Sequence, residues 1–475
     1  MVRSACVHPH NRQAVALALK RNGFLTQGAL AVHLEVALST VNNFCRGVNV
    51  SIAKFEEICD VLGLEAGPLT LPPTEATSEP NSDTSPTEVD HYFAYDRAWV
   101  GRASATQALT QQLQADCRLL LIVGIAGIGK TALAERLALE LQTTHRLIRL
   151  NFDYSEQTTD FSSVAIQLLE KCGQPVPLEE RRNPKQLVRH LLHHLQKQKY
   201  LLLIDSFEEI LEGDDQGESR FRDATYTDFF EALLATDAFQ SRLIITSQTL
   251  PAQIVELGSR YRTVWQRHLL KGLSEAEQLA LFEKVGFDME PRSGDRSYLV
   301  RIGKAYEGHP LALRIITGEI GSDPFFGNVM AYWNRYGSEI EAVEQALAEA
   351  AEGKVEGAED KWTLERFTTE LRRNVRKRLE QTFQRLHQDA RFAYILLCEA
   401  AVYRCPVPED WWLTHLDYWN ADAQAQATAI EALRDRYLIE EVLEAEQYKL
   451  KQHTLIRSVA LDHLDKLDAT PESTS

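Results

Sequence analysis

The residues with the clearest chemical purpose are GIAGIGKT, positions 124–131. They fit G-x-x-x-x-G-K-[ST], a loop that cradles phosphate groups. Gly124, Gly127 and Gly129 let the backbone curl until successive N–H groups face phosphate oxygens, and the helix that follows adds the positive end of its dipole. Lys130 reaches the β and γ phosphates of a nucleoside triphosphate, and the Thr131 hydroxyl is a ligand for Mg2+. Such a site takes an acid from the end of a second strand. KYLLLIDSFEEIL offers Asp205 for the magnesium, directly after Tyr200–Ile204. Ser206 stands where many enzymes of this kind place a second acid, and the nearest further carboxylates are Glu208 and Glu209. Glu208 is a candidate for orienting an attacking water and equally for capping a helix. A third strand, SRLIITSQTL, ends at Gln248. A neutral amide there can hydrogen-bond a γ-phosphate but cannot neutralise its charge. Asp205, Glu208 and Gln248 are therefore the catalytic candidates.

A parallel sheet must hold these loops. Short apolar runs at Leu119–Val123, Leu147–Leu150, Tyr200–Ile204 and Leu243–Ile245 alternate with amphipathic helical stretches, the pattern of buried strands in an α/β unit. The phosphate loop sits between LLLIV and TALAERLALEL, so it has the strand before and the helix after that its chemistry needs. From about residue 270 the strand signal gives way to helical periodicity, in SEAEQLALFEKVGF and SYLVRIGKAYEGHPLALRII. Residues 338–380 are charged and helical. Residues 391–465 carry aromatic-rich helices and one strand-like pair, YLIEEVLEAEQYKL. No period of 20–50 residues repeats. Residues 67–91, GPLTLPPTEATSEPNSDTSPTEVDH, are rich in Pro, Ser, Thr and acid. They hold too little apolar surface to offset their ordering entropy, which predicts a disordered linker.

Before that linker, residues 25–64 have the rhythm of a helix-turn-helix. Thr26 caps a helix with Leu30 and Leu34 inside, and a turn follows at Glu35–Leu38. Ser39 caps a second helix with Val41 and Phe44 inside, and Ser51 opens a third with Phe55, Ile58 and Leu62 at core spacing. If the second helix reads DNA, then Thr40, Asn42, Asn43 and Arg46 point outward, with Asn and Arg suited to adenine and guanine edges. LTQGALAVHL, STVNNF and VLGL resemble the phage-repressor-like helix-turn-helix family. The segment's charges nearly balance, which is poor for phosphate attraction, so a small protein-docking module is the alternative reading.

The chain has 475 residues, which suggests about three domains. Its formal charge of −17 and pI near 5.4 argue against a basic coat for nonspecific nucleic-acid binding. Seven scattered cysteines without a C-x-x-C pair fit free thiols in a reducing cytoplasm. The first residues lack the apolar run of a signal peptide, and the longest apolar run, Leu119 to Gly129, falls short of the roughly 20 residues that span a bilayer. The expectation is a cytoplasmic protein with no membrane partner. In HLLHHL, His190 and His194 share a helix face; a solvated face is favoured over a zinc site because no third ligand is indicated. LRRNVRKR at 371–378 reads as a salt-bridging face within the chain, or as a contact for DNA or an acidic neighbour.

In their order and spacing, these motifs resemble the signal-transduction ATPases with a numerous-domain layout (the STAND class), specifically the NB-ARC branch, over residues 92–465. WVGR at 99–102 resembles the motif whose backbone, here Val100, Gly101 and Arg102, contacts adenine. EGHPLALRII at 307–316 resembles the motif whose proline, here Pro310, packs near the adenine. YKLKQHTLIRSVALDHL at 448–464 resembles a winged-helix segment whose histidine, here His453, touches the β-phosphate of ADP; WWLTHLDYW at 411–419 would lie in the core of that domain. The resemblance implies a multidomain α/β plus α fold. A P-loop NTPase parallel-sheet domain at 92–268 would be followed by a helical domain at 269–386, with a charged helical insertion, and a winged-helix domain at 387–465. A small all-α helix-turn-helix domain at 1–66 would precede it, and 466–475 would be a tail.

The resemblance further implies ATP/ADP and Mg as cofactors. ADP would hold the chain closed; ATP would open it and favour self-association, with the helix-turn-helix as output in transcription control or defence signalling. That combination of parts resembles cyanobacterial or related bacterial regulators. Gln248, Ser206 and Thr454 depart from the sensing arginine, the second acid and the aspartate after the histidine, so the chain is expected to be at most a slow Mg-dependent ATPase. Two rival readings are a DNA-binding regulator with a degenerate ATPase scaffold, and an interaction adaptor that does not bind DNA.

Overall fold

The structure is a computed structural model. It describes residues 4–8, 11, 15, 18–19, 22, 27–64, 66–70, 99–154, 159–213, 219–352, 361–444 and 447–468. Two compact units emerge: Tyr95–Lys271, and a second that joins Met1–Ala94 to Gly272–Ser475.

The second unit begins with β1 (Ser4–Ala5), α1 (Gln27–Leu34), α2 (Leu38–Arg46), β2 (Val50–Ser51), α3 (Ile52–Leu62) and α4 (Ala66–Thr70), and β1 pairs antiparallel with β2. Leu30, Val41, Phe44, Phe55, Ile58 and Leu62 are buried, as their spacing predicts. Phe44 packs on Phe55 with ring centroids 5.1 Å apart. Glu35 turns the chain after α1 at a φ of 52°, a left-handed conformation that glycine adopts more readily. Ser51 stands directly before α3, as predicted, and also caps it by accepting the Lys54 N–H at 3.4 Å. Thr26 lies outside the described residues. Ser39 is no cap: α2 starts one residue earlier, behind Ala37, and the hydroxyl turns elsewhere. α4 overlaps the start of the predicted linker. Leu69 buries its side chain there, and its carbonyl accepts the His8 N–H at 2.8 Å and the Asn11 amide at 3.1 Å. Residues 71–91 of the linker lie outside the described residues.

The other unit is a five-stranded, wholly parallel sheet of β3 (Leu119–Val123), β4 (Arg146–Asn151), β5 (Tyr200–Asp205), β8 (Arg242–Ser247) and β9 (Trp265–Leu269), in the order β4-β5-β8-β3-β9. A small hairpin of β6 (Leu211–Gly213) and β7 (Ser219–Phe221) follows β5. The helices are α5 (Ala103–Gln114), α6 (Lys130–Leu141), α7 (Phe161–Lys171), α8 (Pro184–Lys197), α9 (Thr225–Ala235) and α10 (Ala252–Gly258). All four predicted strands are present, and β3 and β5 are buried throughout. β9 went unread because WQRHL mixes polar with apolar residues, as an edge strand that is only partly buried can. β3 lies between β8 and β9, so the strand order reverses at its carboxyl end. That is the crevice where open α/β sheets bind ligands. His190 meets Glu180 at 2.8 Å and His194 meets the Tyr200 hydroxyl at 3.0 Å. Among the described residues, no three His, Cys, Asp or Glu side chains gather in a group that could hold a metal ion.

The second unit resumes with α11 (Glu275–Val285), α12 (Gly294–Ala305), α13 (Pro310–Gly321), α14 (Val329–Glu352), α15 (Lys361–Asp389), α16 (Arg391–Glu399), β10 (Val407–Pro408), α17 (Glu409–Tyr418), α18 (Ala423–Asp435), β11 (Glu440–Glu444), β12 (Gln447–Lys451) and α19 (Thr454–Asp468). The strand-like pair is the hairpin β11–β12, extended by β10 on the far side of β12. Trp412, Leu413 and Leu416 of α17 are buried, whereas Trp411 and Tyr418 are exposed. The basic run of α15 makes ion pairs within the chain: Arg373 with Glu370 at 2.8 Å, Arg376 with Asp462, and Arg378 with Glu319. Glu319 and Arg378 are both buried, with Arg385, Thr382 and Tyr332 also on the Glu319 carboxylate. All seven cysteines are free. No helix among the described residues is long and apolar enough to cross a membrane.

One expectation fails here. Thr40 and Asn42 do not point outward; they are 3% and 0% exposed. α2 lies against α13 and α18 within the same unit. Ser39 donates to Asp435 at 2.7 Å, Thr40 donates to the same carboxylate at 3.0 Å, and the Asn42 amide donates to the Val285 carbonyl at the end of α11. Gly286 makes that approach possible, since a Cβ there would stand 2.7 Å from the Asn42 Oδ1. Polar groups on the free face of a short helix serve a protein partner as well as a base edge, and here the partner is in the chain itself. Asn43 is half-buried, and the Arg46 side chain lies outside the described residues.

Candidate functional site

The phosphate loop leaves β3 at the reversal point. Gly124 follows the strand directly, and a Cβ there would come within 2.9 Å of both the Ile128 side chain and the Leu270 carbonyl, so glycine is required. Gly127 and Gly129 adopt φ of 77° and 97°, in the left-handed region that lets neighbouring N–H groups converge. α6 starts at Lys130, immediately behind Gly129. The Lys130 Nζ donates to the Ile125 carbonyl at 3.1 Å, inside the loop it serves. From the other side, Arg102 donates to the Ile128 and Lys271 carbonyls, both at 3.0 Å. Within the motif Val100-Gly101-Arg102, the arginine thus braces the loop at Ile128.

Asp205 ends β5 and is buried. It accepts the Thr131 hydroxyl at 2.9 and 3.0 Å, and the Thr246 hydroxyl from β8. A carboxylate and a hydroxyl side by side at the start of α6 form an all-oxygen donor set, the kind that suits a hard cation such as Mg2+. Thr131 and Asp205 are the residues that would hold it. Glu208 faces Gln248: its carboxylate accepts the Gln248 backbone N–H at 3.0 Å and the side-chain amide at 2.8 Å. Two predicted catalytic groups therefore grip each other and tie the end of β5 to that of β8. The carboxylate thus joins two strand ends rather than capping a helix, and to act as a base it would have to leave Gln248.

Sequence reasoning missed Asp153. It sits on the single turn Phe152–Tyr154 after β4, with its N–H held by the Asn151 side chain at 2.9 Å. Its carboxylate accepts the Ser206 hydroxyl at 2.5 Å. Ser206 itself has a left-handed φ of 58°, and its N–H donates to the Thr246 hydroxyl at 3.3 Å. Burial pushes the Asp153 pKa up to about 6; the Ser206 hydrogen bond opposes the rise, and Asp205, Glu208 and Glu209 add to it. The available signal was position: NFDY directly follows a strand run, at the end of the sheet where ligands bind.

Pro310 and His453 belong to the other unit. Pro310 opens α13, behind the fully buried His309, whose Nδ1 accepts the Ala312 N–H at 3.2 Å. His453 precedes α19, and its Nδ1 accepts the Leu455 N–H at 3.1 Å.

The NACHT domain model matches residues 118–288. An uncharacterized WD repeat-containing protein of Nostoc sp. is 30% identical over 230 residues, which are 46% of this chain and 17% of that protein. The chain therefore spans less than a fifth of that relative's length. Among solved structures, Cdc6p from Pyrobaculum aerophilum has 12% identity, with 78% of this chain and 98% of that chain covered and a TM-score of 0.34. The Aeropyrum pernix Orc1 protein, solved in complex with DNA, has 13% identity, with 78% and 94% covered and a TM-score of 0.33. The NACHT match encloses the phosphate loop, Asp205 and the strand that carries Thr246, so residues 118–288 are a nucleotide-binding P-loop NTPase domain of the NACHT type, within the STAND class.

Proposed function

We propose that the chain is a cytoplasmic ATP/ADP switch that signals through its N-terminal helices. The observation that carries this reading is the joint arrangement of the left-handed glycines, Lys130 and the Thr131–Asp205 pair at the reversal point of a parallel sheet. Magnesium bound there would neutralise phosphate charge. The chain's own groups would do the rest: backbone N–H groups and Lys130 bind phosphate oxygens, and Thr246 fixes the Asp205 carboxylate. Hydrolysis is proposed to be slow. Glu208 is engaged by Gln248, and Gln248 adds no charge to offset that developing on a γ-phosphate. The resemblance to the NB-ARC branch adds Val100, Gly101, Arg102, Pro310 and His453 as nucleotide contacts, a winged-helix role for residues 387–465, and self-association with ATP. It also supplies the output: control of transcription or defence signalling through a helix-turn-helix in residues 1–66.

Binding tests the core of this reading. Lys130→Ala removes the loop's only cationic side chain, and should abolish retention of ADP and ATP by the purified chain while leaving its melting temperature unchanged. Unaltered ADP affinity by calorimetry would refute the phosphate-site assignment. The covered face of α2 favours a second reading, in which the N-terminal helices serve as a protein-docking element. A salt-dependent shift of duplex DNA by the full chain, lost on Asn43→Ala, would instead support DNA output.

A further inference from the structure

We propose that Asp153 is the second acid of the phosphate site, a positioning residue supplied by the end of β4 through Ser206. The inference rests on the nucleotide-binding reading above. β4 and β5 are parallel neighbours, with Asn151 opposite Asp205 in register. A residue two places beyond Asn151 therefore arrives at the same end of the sheet as Asp205. Three contacts fix it there. The Asn151 side chain holds the Asp153 N–H at 2.9 Å. Phe152 packs on the buried Phe207, with ring centroids 6.2 Å apart, which locks the turn after β4 to the turn after β5. The Ser206 hydroxyl then donates to the Asp153 carboxylate at 2.5 Å.

Ser206 accordingly does not leave its position without an acid. Its N–H donates to Thr246, whose hydroxyl donates to Asp205, which in turn accepts Thr131. The sequence Thr131, Asp205, Thr246, Ser206, Asp153 is one continuous hydrogen-bonded path from the phosphate loop to the edge strand. Along it, the two carboxylates are held at the same sheet end, and Glu208 and Glu209 also act on Asp153 with like charge. As a structural brace alone, position 153 needs only an acceptor for the Ser206 hydroxyl, and asparagine would serve. What aspartate adds is charge, which repels its neighbours and becomes favourable only beside a cation. A divalent ion at Thr131 and Asp205 is the cation the site is built to take, with Asp153 orienting its outer oxygen shell.

The test compares the full-length wild type with Asp153→Asn, Ser206→Ala and Lys130→Ala. ADP binding is titrated by calorimetry in EDTA and at stepped Mg2+ concentrations, and melting temperatures are measured without nucleotide. Asp153→Asn should raise the Mg2+ concentration for half-maximal effect by about tenfold, as loss of an outer-shell partner does, with ADP binding in EDTA unchanged. Its melting temperature should equal or exceed that of the wild type, because a like-charge repulsion is gone. Ser206→Ala keeps the charge but loosens its aim, so it should shift the Mg2+ dependence the same way by less. A Mg2+ dependence unchanged in both variants would overturn the assignment, as would an equal loss in EDTA and in Mg2+. The Lys130→Ala control separates the two failures: if it binds ADP as the wild type does, the nucleotide reading itself is wrong.

Discussion

Asp435→Ala should loosen α2 from the helices that cover it. The buried Asp435 carboxylate accepts Ser39 at 2.7 Å and Thr40 at 3.0 and 3.2 Å. Without it, two buried hydroxyls lose their acceptor, each at about 1–3 kcal/mol. Two effects reduce that sum. Burial raises the Asp435 pKa against the opposing hydrogen bonds of Ser39 and Thr40, so the carboxylate carries a desolvation cost that alanine removes. Hydroxyls near a helix start can also turn to a carbonyl one turn earlier. A net loss of about 2 kcal/mol remains, or roughly 30-fold in the opening equilibrium. Hydrogen exchange read by mass spectrometry at Val41 and Phe44 should quicken by that factor, while exchange in α6 stays as it was. The triple variant Ser39→Ala/Thr40→Ala/Asp435→Ala should return close to wild type, because removing both partners of a buried hydrogen bond is nearly neutral. Exchange in Asp435→Ala within about twofold of wild type would refute this reasoning, as would a triple variant that opens faster than the single one.

Two further outcomes follow from the same unit. Burial pushes the Glu431 pKa up to about 7; Asp435 adds to the rise, while Lys54, Arg434 and the Ser51 hydroxyl oppose it. The folded chain then keeps a proton that a free glutamate loses near pH 4.5, so this group's contribution is greatest below that pH. It declines as pH rises to about 7, by up to about 3 kcal/mol. Urea midpoints should therefore fall more for wild type than for Glu431→Gln between about pH 5 and pH 8, and parallel curves would exclude the effect. Arg378→Met removes one of the two arginines paired with the buried Glu319, leaving Arg385 on the carboxylate and the Arg436 charge nearby, and should cost about 3–5 kcal/mol in urea unfolding. A loss below about 1 kcal/mol would show that the pair is dispensable.

The phosphate loop was legible because its chemistry is local: the glycines, Lys130 and Thr131 fall within residues 124–131, and each type has one use in that order. Asp205 was legible for a similar reason, as the first polar residue after an apolar run. Asp153 was not, since its role depends on the register of β4 against β5, and register is a long-range property. The helical spacing of α2 correctly separated Val41 and Phe44 from the polar face. Spacing says which residues face away from their own small core. It is silent on what then covers them, and Asp435 and Val285 lie hundreds of positions later. The basic run of α15 shows the same limit from the other side: composition alone could not tell a nucleic-acid surface from ion pairs with Glu319, Glu370 and Asp462.

The separation between Ser39 and Asp435, 396 residues, also sets a timetable. A ribosome adds about 5–20 residues per second, so α2 would emerge roughly 20–80 s before its acceptor exists. Throughout that interval the polar face of α2 stands in water, while the whole parallel-sheet unit between them is synthesised and can close on itself. A nascent or truncated chain that stops short of α18 therefore displays a surface that the finished molecule conceals. For such a chain, the binding behaviour of residues 27–46 would depend on when it is sampled as well as on what it meets.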